Sequence, residues 1–151
     1  MIIAGKQERR NLGIMSGNTG KVENGNKIKT FSDLDVFKRA FDMAKIVLFT
    51  IIPKLPKEEK FDLGDQLRRA SKAIPTLIAE GYAKKYQNKG FQRYLQDAMS
   101  EANEMIVHLS FADEYIHDSE RIDELRNGYL IVSKQLYKLQ ENWRKLSKKM
   151  T

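Results

Sequence analysis

The chain has no cysteine, which at once removes disulfides, thiol nucleophiles and cysteine-ligated metals from consideration. Histidine is almost as scarce: His108 and His117 are the only imidazoles available as acid, base or ligand. No apolar run approaches the roughly 20 residues of a membrane-spanning helix. The opening MIIAGKQERR is broken by Lys6, Glu8, Arg9 and Arg10 before a signal-peptide core can form. No serine stands in a nucleophile-elbow context, and no glycine-rich loop resembles a phosphate cradle. These absences lead to the expectation of a soluble, cytoplasmic, non-enzymatic chain with no cofactor and no metal.

Glycine is short where it matters. Five of the nine glycines lie in residues 1–30, where no apolar periodicity exists. That segment reads as a disordered basic tail, with Met15 as a second candidate translation start. Residues 31–151 are expected to form one domain, and an apolar content of 41% over the 151 residues suffices for its core.

The net charge of +7 is unevenly placed. Residues 66–94 carry +6, residues 95–125 carry −8 and residues 126–151 carry +6. Two basic blocks thus flank an acidic one. Such segregation steers a polyanion to one surface or pairs unlike faces between subunits.

From Phe31 onward the apolar spacing is helical. Leu34, Phe37, Phe41, Ala44, Leu48 and Ile51 mark a first helix, with Ser32 as its cap and Pro53 and Pro56 as its end. Leu63, Leu67, Ala70, Ile74, Leu77 and Gly81 mark a second. Asn88 is the candidate cap of a third, seamed by Phe91, Leu95, Ala98, Ala102, Met105, Leu109, Ala112 and Ile116. Asp118 or Ser119 opens a fourth, with Ile122, Leu125, Tyr129, Val132, Leu136, Leu139, Trp143 and Leu146. Four such helices joined by short links predict an all-α, antiparallel up-down-up-down four-helix bundle. Additional stripes (Val36, Ala40, Met43 and Val47; Ile78 and Tyr82; Leu130, Ile131 and Tyr137) point to a homo-oligomer that buries a second face.

The second helix holds an oddity. Pro75 sits in its middle, at a cost of roughly 3 kcal/mol for a helix interior. Close packing of a bent helix is the expected compensation.

Catalytic signals are weak. Glu114 and His117 match one Glu-x-x-His of a di-iron bundle, but that chemistry needs two such motifs and two further glutamates. A solvated helix end is the better account. Glu104 and His108, four apart, are spaced to share a metal, but a surface hydrogen bond is the better account. Glu80 lacks the second acid or histidine that a general base would need, and is expected to pair with Arg68, Arg69 or another cation.

The basic residues carry more. Arg68, Arg69 and Lys72 precede Lys84, Lys85, Lys89 and Arg93, which are interleaved with Tyr82, Tyr86, Phe91 and Tyr94. Cations contact phosphates, and exposed rings stack on unpaired bases. These seven cations are the candidate binding set for RNA or single-stranded DNA. The competing account has the cations solvating an outer face while the aromatics pack inward.

Gln66-Leu67-Arg68-Arg69-Ala70, Ile74-Pro75 and Ile78-Ala79-Glu80-Gly81 together resemble the signature of the four-helix-bundle family of 23S rRNA intervening-sequence proteins. That family is in turn similar to the accessory proteins of diversity-generating retroelements. The resemblance runs from about Phe31 to Leu146, with Pro75, Glu80 and Gly81 as its structural motif. Ala73 and Leu77 depart from it, standing where serine and asparagine are usual. It implies a ring, commonly a pentamer, without enzymatic activity. Its retroelement branch implies binding to nucleic acid and to a reverse transcriptase. The alternative is a protein-interaction scaffold with no nucleic-acid role, in which unlike charge blocks meet between subunits.

Overall fold

The computed structural model describes residues 27–149, and within them all regular structure is helical. The expected tail lies almost wholly outside the described residues; Lys27 to Thr30 are exposed. A 3-10 turn over Phe31–Asp33 leads into α1, Asp35–Ile46, which runs on through a π turn over Val47–Ile51 and a 3-10 turn over Ile52–Lys54. After a further turn at Lys57–Glu59 come α2, Leu63–Ala83; α3, Gly90–Ile116; and α4, Ser119–Lys149. Helix α2 packs chiefly on α3 and α3 on α4, while α1 closes the ring against α2 and α4. This is the expected up-down-up-down four-helix bundle.

The start of α1 is set differently from the sequence expectation. Asp33, rather than Ser32, is the key acceptor, taking the Lys29 and Thr30 N–H groups at 2.9 Å each. Thr30 and Asp33 form a reciprocal capping box, and Ser32 only exchanges a hydroxyl bond with Thr30. At α3 the cap position falls on Lys89 instead of Asn88, in a left-handed conformation with φ 56°. Asp118 caps α4 as expected, its carboxylate accepting the Arg121 N–H at 3.4 Å.

The core of α1 also corrects the sequence reading. Val36, Ala40, Met43 and Val47, expected to face another subunit, are the seam and lie buried in the chain's own interior. Phe41, expected inside, is 48% exposed, and Phe37 and Leu48 are half-buried. The two stripes differ by one residue, so both satisfy helical spacing. Leu34, Ala44 and Ile51 of the expected stripe are buried as well, so the seam draws on both. The bulky members of that stripe, Phe37, Phe41 and Leu48, lie toward the surface, with Phe31 edge-on to Phe37 at 4.9 Å and Phe37 stacked on Phe41 at 5.9 Å. Ile78 is likewise core rather than spare surface, while Leu146 is exposed rather than part of the seam. Otherwise the seams of α2, α3 and α4 are buried or half-buried as their spacing requires.

Helix α2 runs unbroken through Pro75, which is buried, as is Ser71 one turn earlier. The missing proline N–H leaves the Ser71 carbonyl without its helical donor. Near the helix end, Gly81 sits where a Cβ would come within 2.6 Å of Tyr94 Cβ and 3.0 Å of Phe91. Only a residue without a side chain lets α2 and α3 converge this closely just before their link.

Candidate nucleic-acid interface

Antiparallel packing places the end of α2, the start of α3 and the end of α4 together. Trp143 of α4 fixes that meeting: its Nε1 donates to the Lys85 carbonyl at 3.1 Å, and its ring stands edge-on to Phe91 at 5.2 Å. Gln140 Nε2 adds a bond to the Gln92 carbonyl at 3.3 Å. The two basic blocks, far apart in sequence, therefore share one end of the bundle. The amino end of α1 lies there as well, and Lys27, Lys29 and Lys38 line a surface cleft of about 340 Å³ with Asp33. Hydrogen bonds from the Thr30 and Lys29 backbone hold the Asp33 carboxyl below its ordinary range, so it stays ionised among these lysines.

The seven expected contact residues split into two groups. Arg68 is paired with Asp65. Arg69 reaches across to α3, bonding Glu101 at 3.1 and 3.2 Å and Glu104 at 2.6 Å. Those bonds, to Glu101 first and Glu104 second, raise the guanidinium above its ordinary value. Lys72 is exposed but stands 12 residues before Lys84, about 18 Å along a helix at 1.5 Å per residue.

Lys84, Lys85, Lys89 and Arg93 do come together, around the α2–α3 link. Lys84 Nζ donates to the Tyr94 hydroxyl at 2.6 Å. Lys85 Nζ lies 4.0 Å from the centre of the Tyr82 ring and 4.8 Å from that of Tyr86. Lys89 and Arg93 are exposed and have no side-chain partner among the described residues. At the end of α4, Arg144 is held by Glu141 at 3.2 Å, and Lys145 and Lys149 are exposed. At the opposite end the α3–α4 turn is acidic, with Asp113, Glu114, Asp118 and Glu120, and Lys54 of the α1–α2 link lies 3.8 Å from Asp118.

Glu80 is exposed and makes no ion pair among the described residues. The expected pairing with Arg68, Arg69 or another cation therefore does not occur among them, and a pairing between subunits is the form of that expectation left open. His108 Nε2 stands 3.8 Å from Glu104, too far for the expected hydrogen bond, because Arg69 takes that carboxylate. His117 ends α3 with φ 56° and is exposed. Among the described residues no group of three or more acidic or imidazole side chains is placed to hold a metal ion, and no helix is long and apolar enough to cross a membrane.

The profile of the 23S rRNA-intervening sequence protein family matches residues 32–138, well over half of the chain. The chain belongs to this family. No curated protein and no solved structure matches it. The structure accounts physically for one part of the motif that carried the resemblance, since Gly81 permits the α2–α3 approach. The family match stops at Lys138, so Trp143 and the basic end of α4 lie beyond it.

Proposed function

We propose that this 23S rRNA-intervening sequence protein is a non-enzymatic, cytoplasmic homo-oligomer that binds RNA or single-stranded DNA through its cationic end. The observation that carries the reading is the Trp143–Lys85 contact, which brings the two basic blocks to one surface. A polyanion meets concentrated positive charge there and repulsion at the opposite end. The residues assigned to contact are Lys84, Lys85, Lys89 and Arg93, with Lys145 and Lys149 alongside. Arg68 and Arg69, tied to carboxylates of their own chain, have a smaller role.

Assembly is supported by two exposed apolar stripes. One is Phe31, Phe37 and Phe41 by α1; the other is Val107, Phe111 and Tyr115, spaced by four along α3. Helices α1 and α3 are diagonal in this topology, so the stripes lie on different faces of the bundle. Unlike surfaces on different faces suit a head-to-tail contact that closes into a ring, of which a pentamer is the form the family resemblance implies. The same resemblance names a reverse transcriptase as a partner in its retroelement branch.

The test is binding of a labelled single-stranded RNA across a salt series. Contact with about four to six phosphates gives a log–log slope near −3 to −4 for a single strand. A flat response, or no binding at low salt, removes the proposal. The scaffold reading is favoured by one observation, the acidic end opposite the basic one. Reversing Lys89 and Arg93 to glutamate separates the two: the nucleic-acid reading expects intact oligomers that no longer bind, and the scaffold reading expects dissociated ones.

A further inference from the structure

Four aromatic residues stand in or beside the α2–α3 link, interleaved with its cations, and the structure gives three of them other work. Phe91 is buried, edge-on to Trp143 and to Tyr82 at 6.1 Å. Tyr82 is half-buried under Lys85, and Tyr94 accepts the Lys84 ammonium through its hydroxyl. Tyr86 is the exception. It is 81% exposed and makes no ring–ring contact among the described residues.

The backbone beneath it is well held. Within the link, Gln87 N–H bonds the Lys84 carbonyl and Gly90 N–H bonds the Gln87 carbonyl, both at 3.0 Å. The Lys85 carbonyl is taken by Trp143. Gly90 is itself required, because a Cβ there would lie 2.6 Å from the Lys84 carbonyl oxygen. The ring therefore projects from a braced turn, so presenting it to a ligand costs little ordering entropy. The Lys85 ammonium covers one face of the ring, and the other face is open. Lys89 at the end of the link and Arg93 in the first turn of α3 have no side-chain partner among the described residues.

We infer that Tyr86 is a one-sided stacking platform for a single unpaired base, with Lys85, Lys89 and Arg93 holding the adjoining phosphates. This rests on the nucleic-acid reading above and sharpens it to a ligand class: a strand whose bases are free to leave their own stack. A duplex keeps its bases paired inside and offers none to the ring, so it meets only the cations.

The experiment titrates the full chain against a fluorescein-labelled oligothymidine and against a labelled duplex of equal length, at one low salt concentration. Tyr86→Ala is expected to weaken oligothymidine binding about tenfold, the scale of one base–aromatic stack, and to leave duplex binding within about twofold. Tyr86→Phe keeps the ring and should bind as the parent does. Because the side chain lies outside the core, thermal melting of all three chains should coincide. Loss on both probes alike, or on neither, while the parent binds with its normal salt slope, overturns the platform alone. A parent chain that binds neither probe overturns the nucleic-acid reading and the platform with it.

Discussion

Trp143 Nε1 donates a hydrogen bond to the Lys85 carbonyl, across 58 residues of sequence, at 3.1 Å. This single contact ties the last turns of α4 to the α2–α3 link and makes one surface out of two basic segments. Replacing Trp143 with Phe removes the bond while keeping a ring against Phe91. The expected loss is about 1 kcal/mol of stability, read from the urea midpoint. Nucleic-acid affinity should fall modestly as well, because the end of α4 that carries Lys145 and Lys149 is held less firmly against the α2–α3 link.

Gly81→Ala tests the close approach of α2 and α3. The added methyl would lie 2.6 Å from Tyr94 Cβ, an atom that no rotamer change can move away. Alanine gains about 1 kcal/mol of helix propensity, whereas overpacking of this kind costs about 1–3 kcal/mol. The variant should melt below the parent. A higher melting temperature would show that the helices can part without cost.

The divided fate of the arginines gives a sharper prediction. Arg69→Ala breaks an exposed ion pair with Glu101 and Glu104, and should cost no more than about 1 kcal/mol, less at high salt. Its affinity for single-stranded RNA should change little. Lys89→Glu with Arg93→Glu should leave the melting temperature almost unchanged and reduce affinity many-fold. Anisotropy titrations of the two variants decide between them.

Asp33 predicts a pH effect at the amino end of α1. Its folded-state value is lowered by backbone hydrogen bonds from Thr30 and then Lys29, so its contribution is present above the ordinary carboxylate range. That contribution fades as pH falls through the folded-state value, which lies below 3.8. Amide exchange at Thr30 should therefore quicken in acid relative to its rate at neutral pH, after correction for intrinsic exchange. Asp33→Ala should show fast exchange at both.

Much of this could be read from the residues. Three of the four seams were legible because each helix had one dominant apolar stripe, as in Leu95, Ala98, Ala102 and Met105. In α1 two stripes one residue apart satisfied the same period, and side-chain size decided between them only once neighbouring helices were present. Ser32 and Asn88 were expected as caps, and Thr30 with Asp33 and Lys89 hold those positions instead, because each segment offers several polar residues that local spacing does not rank. The pairing of Arg69 was hidden because Glu101 and Glu104 approach from another helix, whereas the partner of Arg68 is Asp65, three residues away on the same helix. The meeting of the two basic blocks follows from the antiparallel order that the spacing predicts, whereas the Trp143–Lys85 bond that fixes it depends on the reach of one side chain and was not legible.

The account turns on where a nucleic acid touches the bundle, and crosslinking reports that most directly. The full chain would be irradiated with a 5-bromouracil-substituted single-stranded RNA and the modified peptides identified by mass spectrometry. Crosslinks should fall on the peptides that hold Tyr86 and Arg93, with none on the acidic turn at Asp113 to Glu120. Crosslinks confined to the Arg68–Lys72 stretch, or to the acidic turn, would contradict it.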